Sequence, residues 1–198
     1  MVQNNPYINL IPSKYVSAIL KIHEEIGQNA LWALGGDLAE ALQSVRVEPD
    51  CIEILTSKEG AEKIHAAVEQ FDPQQITYQV QELAQKALIE GKEYPVYTRS
   101  YYFEFFVDGI KAKVEGDLQF RVGNWEWGDT FEFVPYIVYI VNKRTSVVPL
   151  YVNYELYQRL GWADRVDKIT WVIANRRHCC NHMSSALSTI KPSIMHIK

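Results

Sequence analysis

The feature that most narrows what this chain can fold into is a junction: the apolar run Ala30-Leu-Trp-Ala-Leu34 meets Gly35-Gly36, and Asp37-Leu-Ala-Glu-Ala-Leu-Gln43 follows with residues that favour helix. A strand that turns into a helix needs backbone freedom at the turn, and glycine supplies it at the least steric cost. The order predicts strand, glycine turn, helix. Taken alone, the glycine pair says little about ligands, because such a turn wants glycine for backbone reasons.

The flanking segments extend this unit. Ile11, Tyr15, Ala18, Ile19, Ile22 and Ile26 fall on one face of an opening helix, with Pro12 tolerated in its first turn and Gly27 ending it. After Pro49, the run Asp50-Cys-Ile-Glu-Ile-Leu55 predicts a strand with Cys51, Glu53 and Leu55 on one face and Ile52 and Ile54 on the other. Thr56 or Ser57 can cap a helix reaching about Gln70, with Ala61, Ile64 and Val68 inward. Between Phe71 and Pro95 two readings compete, since Gln79 to Ile89 has helical residues while Ile76 to Val80 alternates like a strand.

Beyond Pro95, Tyr97 to Val107, the turn dipeptide Asp108-Gly109 and Ile110 to Glu115 predict a β-hairpin. A second hairpin is expected from Tyr136 to Val141 and Ser146 to Tyr151, across Asn142-Lys-Arg-Thr145. Asn153 is expected to cap a helix that runs through Leu160 and ends at Gly161, and Asp164 to begin another through about Arg176. Weak periodicity from His178 to Lys198 predicts a flexible tail. The expectation is one α/β (α+β) domain over residues 1–165, a mixed sheet flanked by helices, followed by a C-terminal helix and tail over 166–198.

A chain of 198 residues, 47% hydrophobic and 22% charged, can bury one sizeable core. Its formal net charge of −4 offers no broad positive field, which disfavours nucleic acid as the main partner, although it leaves room for a local basic patch. The N-terminal residues lack the order of a signal peptide, no apolar run is long enough to span a bilayer, and three cysteines form no disulfide framework. A cytoplasmic protein without membrane association is expected.

Four stretches now stand in order: Leu34-Gly35-Gly36-Asp37, Glu48-Pro-Asp-Cys-Ile-Glu-Ile54, Glu59-Gly60-Ala61 and Asp108-Gly-Ile-Lys-Ala-Lys-Val-Glu-Gly-Asp117. Together, over roughly residues 12 to 165, they resemble the minimal nucleotidyltransferase group of the polymerase-beta-like superfamily. The resemblance implies a nucleotidyltransferase-like fold with a glycine turn for phosphate at Gly35, Gly36 and Asp37. It further implies an Asp-x-Asp strand and a later strand with a third carboxylate, which hold magnesium while an acceptor hydroxyl attacks the α-phosphorus. Two carboxylates at i and i+2 project to one face of a strand and can share the metals.

Three positions depart from that pattern. The Asp-x-Asp positions fall on Cys51-Ile52-Glu53, so only the second is a carboxylate, and Asp50 is one residue out of phase. The third carboxylate position falls on Lys113, and the small hydroxyl expected after the glycines is Asp37, which repels a phosphate placed there. The expectation is an ion pair of Glu53 with Lys113 in place of metal, since a buried carboxylate seeks a partner. The protein is then a family member without catalysis, binding a nucleotide, another small ligand or a protein, with no cofactor. The alternative is a magnesium-dependent transferase of nucleoside triphosphates with Asp50 and Glu53 as catalytic acids and Asp50, Glu53 and Glu115 as the ligand set. The residues leave catalysis open.

Other groups carry blander readings. Cys51 reads as a core filler, and His178-Cys-Cys-Asn-His182 lacks the spacing of a zinc site. His23, His65 and His196 read as surface or core histidines. Tyr97, Tyr101, Tyr102, Phe103, Phe105 and Phe106 read as a strand packed on helices, while Trp125 and Trp127, in a loop, are better placed to form a binding surface.

Overall fold

The computed structural model describes residues 11–179. Its centre is a seven-stranded mixed sheet whose strands lie in the spatial order β3 (Thr77–Glu82), β6 (Val96–Val107), β7 (Ile110–Val122), β2 (Ile52–Thr56), β1 (Trp32–Leu34), β9 (Lys143–Val147), β8 (Tyr136–Ile140). The opening helix α1 (Ser13–Ile26) buries Tyr15, Ala18, Ile19, Ile22 and Ile26, the face its apolar spacing predicts. Strand β1 (Trp32–Leu34) feeds through Gly35 into α2 (Gly36–Leu42), and β2 (Ile52–Thr56) returns antiparallel to β1. Ser57 caps α3 (Lys58–Ala67), its hydroxyl accepting the Gly60 N–H at 3.0 Å.

The ambiguous stretch resolves toward strands. β3 (Thr77–Glu82) pairs antiparallel with β6, and β4 (Ala87–Ile89) and β5 (Lys92–Tyr94) form a separate small hairpin. The helix-favouring residues from Gln79 lose to sheet pairing and to Ala87, which packs with Val96, Val122 and Leu160. The long hairpin β6 (Val96–Val107) and β7 (Ile110–Val122) turns at Asp108 and Gly109, both at positive φ as a two-residue hairpin turn demands. β7 continues seven residues past its expected end at Glu115, through a bulge beside Asp117, which sits at φ 51.

Two other expectations are corrected. β8 (Tyr136–Ile140) and β9 (Lys143–Val147) join through two residues and not four, so Val141 takes φ 58 and the second strand starts three residues early. Leu150 and Tyr151 belong to α4 (Leu150–Leu160), whose N-cap is Pro149; Asn153 lies inside the helix, buried, and not at its start. α5 (Ala163–Cys179) runs without a break past residue 165 and packs Ile169 and Val172 on Val45, Leu150 and Tyr157. Residues 180–198 of the expected tail, with Cys180, His182 and His196, lie outside the described residues.

The core lies on the α1 and α3 side of the sheet, where Ile52 and Ile54 of β2 meet Ala112 and Val114 of β7 and Phe103 and Phe105 of β6. Alternation sends Glu53 and Leu55 to the other side, where Leu55 packs with Leu118, Val148 and Val152. The site is built on that second face.

Candidate functional site

β2 and β7 run parallel, and the register puts Glu53 directly opposite Lys113 and Leu55 opposite Glu115. Parallel partners in register project to the same face, so Lys113 reaches Glu53, with Nζ 2.8 Å from Oε2, and Glu115 lies farther off at 3.9 Å. The side chains differ in access: Glu53 is 20% exposed and Lys113 25%, while Glu115 is 6% exposed.

This access sets the protonation. Burial pulls the Lys113 ammonium down, but Glu53 and then Glu115 outweigh it and hold the group well above the ordinary lysine value. Glu115 is pushed up to about 7, by burial first and by the Glu53 charge second, with Lys113 opposing. Below that value Glu115 carries its proton and adds no negative charge beside the Lys113 ammonium.

The glycine turn owes its composition to the same carboxylate. A Cβ on Gly35 would stand 2.8 Å from Glu53 Oε1, and one on Gly36 would stand 2.8 Å from Oε2, with Gly36 also at φ +56. The Gly35 N–H donates to the Glu53 backbone oxygen at 2.9 Å. The glycine pair therefore lets β2 and its carboxylate press against the start of α2.

Cys51 and Asp50 behave otherwise. The Cys51 thiol is pushed up to about 12, by burial first and by its hydrogen bond with Asp50 second, with Lys113 opposing. It stays protonated at neutral pH. Asp50 precedes β2, is exposed, and its charge acts on Tyr15 of α1. Among the described residues, no three His, Cys, Asp or Glu side chains converge as a metal-ligand set.

Asp37 faces a second cluster that the sequence does not reveal. Arg165 of α5 approaches it at 2.5 Å and reaches Glu40, one helical turn along α2, at 3.3 Å. Glu40 is fully buried; it accepts from Tyr157 OH at 2.5 Å and Asn153 Nδ2 at 3.1 Å, both on α4. Burial raises the Glu40 carboxyl, and the Tyr157 hydroxyl and Arg165 charge pull it back. Asp37 and Glu40 at i and i+3 share a face of α2, as do Asn153 and Tyr157 at i and i+4 on α4. That spacing was readable; that Arg165 joins them from α5 was not.

No family model matches the sequence, and no curated protein matches it. Among solved structures, the putative nucleotidyltransferase TM1012 of Thermotoga maritima superposes with TM-score 0.57 and 24% identity, over 84% of this chain and 96% of that one. Two structures of the antibiotic-resistance factor ANT(2'')-Ia, one in complex with adenylyl-2''-tobramycin, each reach TM-score 0.42 over 84% of this chain, at 12% and 10% identity and with 93% and 92% of their own lengths covered. The Thermotoga likeness shows a nucleotidyltransferase-like fold, which in this chain is, among the described residues, a mixed seven-stranded sheet flanked by five helices. No described helix is long and apolar enough to cross a membrane.

Proposed function

We propose that this chain, which carries the nucleotidyltransferase fold, uses the Glu53–Lys113 site to bind an anionic small ligand, a nucleotide foremost, without metal and without transferring a nucleotidyl group. The observation that carries the reading is the ammonium of Lys113, 2.8 Å from Glu53 and opposite it in register. Where the resemblance implies a carboxylate facing a divalent cation, a fixed monovalent cation stands, and it stays charged across the physiological range.

The residues present do not fit magnesium. A divalent ion at Glu53 would have to displace or sit beside the ammonium, and like charges at that separation repel strongly at low effective dielectric. Glu115, titrating near 7, is neutral for much of the molecular population at neutral pH, and Asp50 lies outside the strand. Magnesium also demands near-octahedral oxygen ligands, for which this set is short. The active-transferase alternative is therefore not favoured.

Lys113 is only partly covered, so its remaining donor positions can meet a phosphate or carboxylate oxygen of a ligand. Asp37, held by Arg165, is at least partly neutralised and repels such a group less than a bare carboxylate would. The apolar cluster of Leu55, Leu118, Val148 and Val152, with Phe120, Phe131 and Phe133 against it, continues the same face. Its aliphatic members are buried, so the partly exposed phenylalanines at its edge are what offer a surface for the uncharged part of a ligand.

The experiment is a thermal-melt titration with each common nucleoside triphosphate, in chelator and then with magnesium. A ligand of the native state raises the melting temperature, by about 2.7 kcal/mol of stabilisation at a hundredfold excess over Kd. The expected result is a rise in chelator, unchanged by magnesium and lost in Lys113→Met. No rise with any triphosphate removes the nucleotide reading, and pyrophosphate release with an acceptor present removes the non-catalytic one.

A further inference from the structure

The opposite side of the sheet carries a second surface, independent of the Glu53–Lys113 site. Gly116 marks that side: a Cβ there would stand 3.1 Å from the Ala61 Cβ of α3. Tyr101 is its register partner on β6, and alternation places Tyr97 and Arg99 of β6 on the same side. β3 adds Tyr78, opposite Tyr101, and Val80, opposite Arg99; each is 55% exposed, so this end of the face is uncovered. Past the Asp117 bulge, Arg121 returns to this side as the partner of Tyr97.

Rings and cations interleave across it. Tyr78 and Tyr101 lie 4.9 Å apart by ring centroid, and Lys58 Nζ stands 4.8 Å from the Tyr101 ring. The guanidinium carbons of Arg99 and Arg121 lie 4.5 and 4.7 Å from the Trp127 ring centre, and Arg121 also lies 4.8 Å from Tyr97. Among the described residues, none of these three cations has a carboxylate within ion-pair distance. The buried Arg121 Nε has no hydrogen-bond partner among the described residues. Arginine held against indole keeps its charge while losing little freedom on binding an anion.

We propose that this face of β3, β6 and β7, with Lys58 and Trp127 at its margins, binds single-stranded nucleic acid. Arg99 Nε donates to Gln119 Oε1 at 2.6 Å, but no carboxylate neutralises these cations among the described residues. Spaced among aromatic rings, they match the alternation of phosphates and bases, and stacking tolerates any sequence because every base has a π-face. An acidic peptide would satisfy the cations but leave the exposed Tyr78 ring without a flat partner, so nucleic acid is favoured. The net charge of −4 describes the whole chain and not this face.

The test is fluorescence anisotropy of the full chain with a labelled single-stranded oligonucleotide of about twelve residues, within the range of known single-strand sites. Measured from about 50 to about 200 mM salt, log affinity should fall against log salt with a slope of about −2, as three displaced counterions give on a single strand. Arg99→Gln with Arg121→Gln should weaken binding about tenfold or more and flatten the slope toward about −0.7. Tyr78→Ala should weaken it about fivefold or more through lost stacking, with Tyr78→Phe unchanged. If the double variant melts early, Lys58→Gln and Tyr78→Ala, at exposed positions, decide alone. The proposal is overturned by no binding at the lowest salt, by affinity that these variants leave unchanged, or by polyglutamate competing as well as the oligonucleotide. Lys113→Met should leave oligonucleotide binding intact, which separates this surface from the small-ligand site.

Discussion

Two acid–base clusters stand close to the glycine turn, and they differ in what is left over. In the cluster of α2, α4 and α5, Glu40 is fully buried and meets Tyr157, Asn153 and Arg165. Its carboxylate is saturated, and its chemistry is spent on fastening three helices together. In the cluster of β2 and β7, Lys113 is a quarter exposed and touches one carboxylate closely. A saturated network organises the fold, while an ion pair with open donor positions can still receive a ligand.

The two clusters should differ most at Glu40. Glu40→Ala leaves Arg165, Tyr157 and Asn153 around a void, and the expected loss is about 3–5 kcal/mol, measured by denaturant unfolding. Lys113→Met, which keeps the length of the side chain at a partly exposed pair, is expected to cost about 1 kcal/mol. Equal losses from the two would erase the distinction between them.

The next effect is a pH dependence confined to the sheet cluster. Glu115 is raised in the folded state to about 7 from an ordinary 4.5, so the folded chain binds the extra proton between those values. Stability therefore falls as pH rises from about 4.5 to about 7, by a few kcal/mol in all. Glu115→Gln mimics the neutral acid, so melting curves at pH near 5 and near 8 should show the variant gaining on the parent at the higher pH. An equal gap at both would contradict the assignment.

The smallest effect serves as a control outside both clusters. Val141 holds φ 58, a region that a β-branched side chain enters only with strain, in an exposed turn. Val141→Gly should raise stability by about 1 kcal/mol without altering any ligand response. A changed ligand response would mean that the melts report stability and not the site.

Much of this arrangement could be read from the amino-acid order, and the limits have physical causes. Periodicity located α1 and both faces of β2, because apolar burial is written into spacing. Glu53 and Lys113 came to one site through the resemblance; spacing alone cannot pair β2 with β7, since parallel register is set by the intervening chain. Asn153 misled for a related reason: it looks like a cap, but Pro149 starts the helix and the amide is needed inside by Glu40. Arg165 was invisible because a contact across 125 residues leaves no local pattern. Trp127 stood out in sequence, yet its cations came from β6 and β7.

In the proposed reading, the Lys113 ammonium stands where a divalent cation would otherwise be held. Calorimetric titration of magnesium, and of manganese as its stand-in, into the parent and into Lys113→Asp tests it most directly. The expected result is no saturable binding by the parent and a gain of millimolar or tighter binding in Lys113→Asp, where Glu53 faces a carboxylate instead of a cation. Saturable, stoichiometric binding by the parent, undiminished in the presence of Lys113, would contradict it.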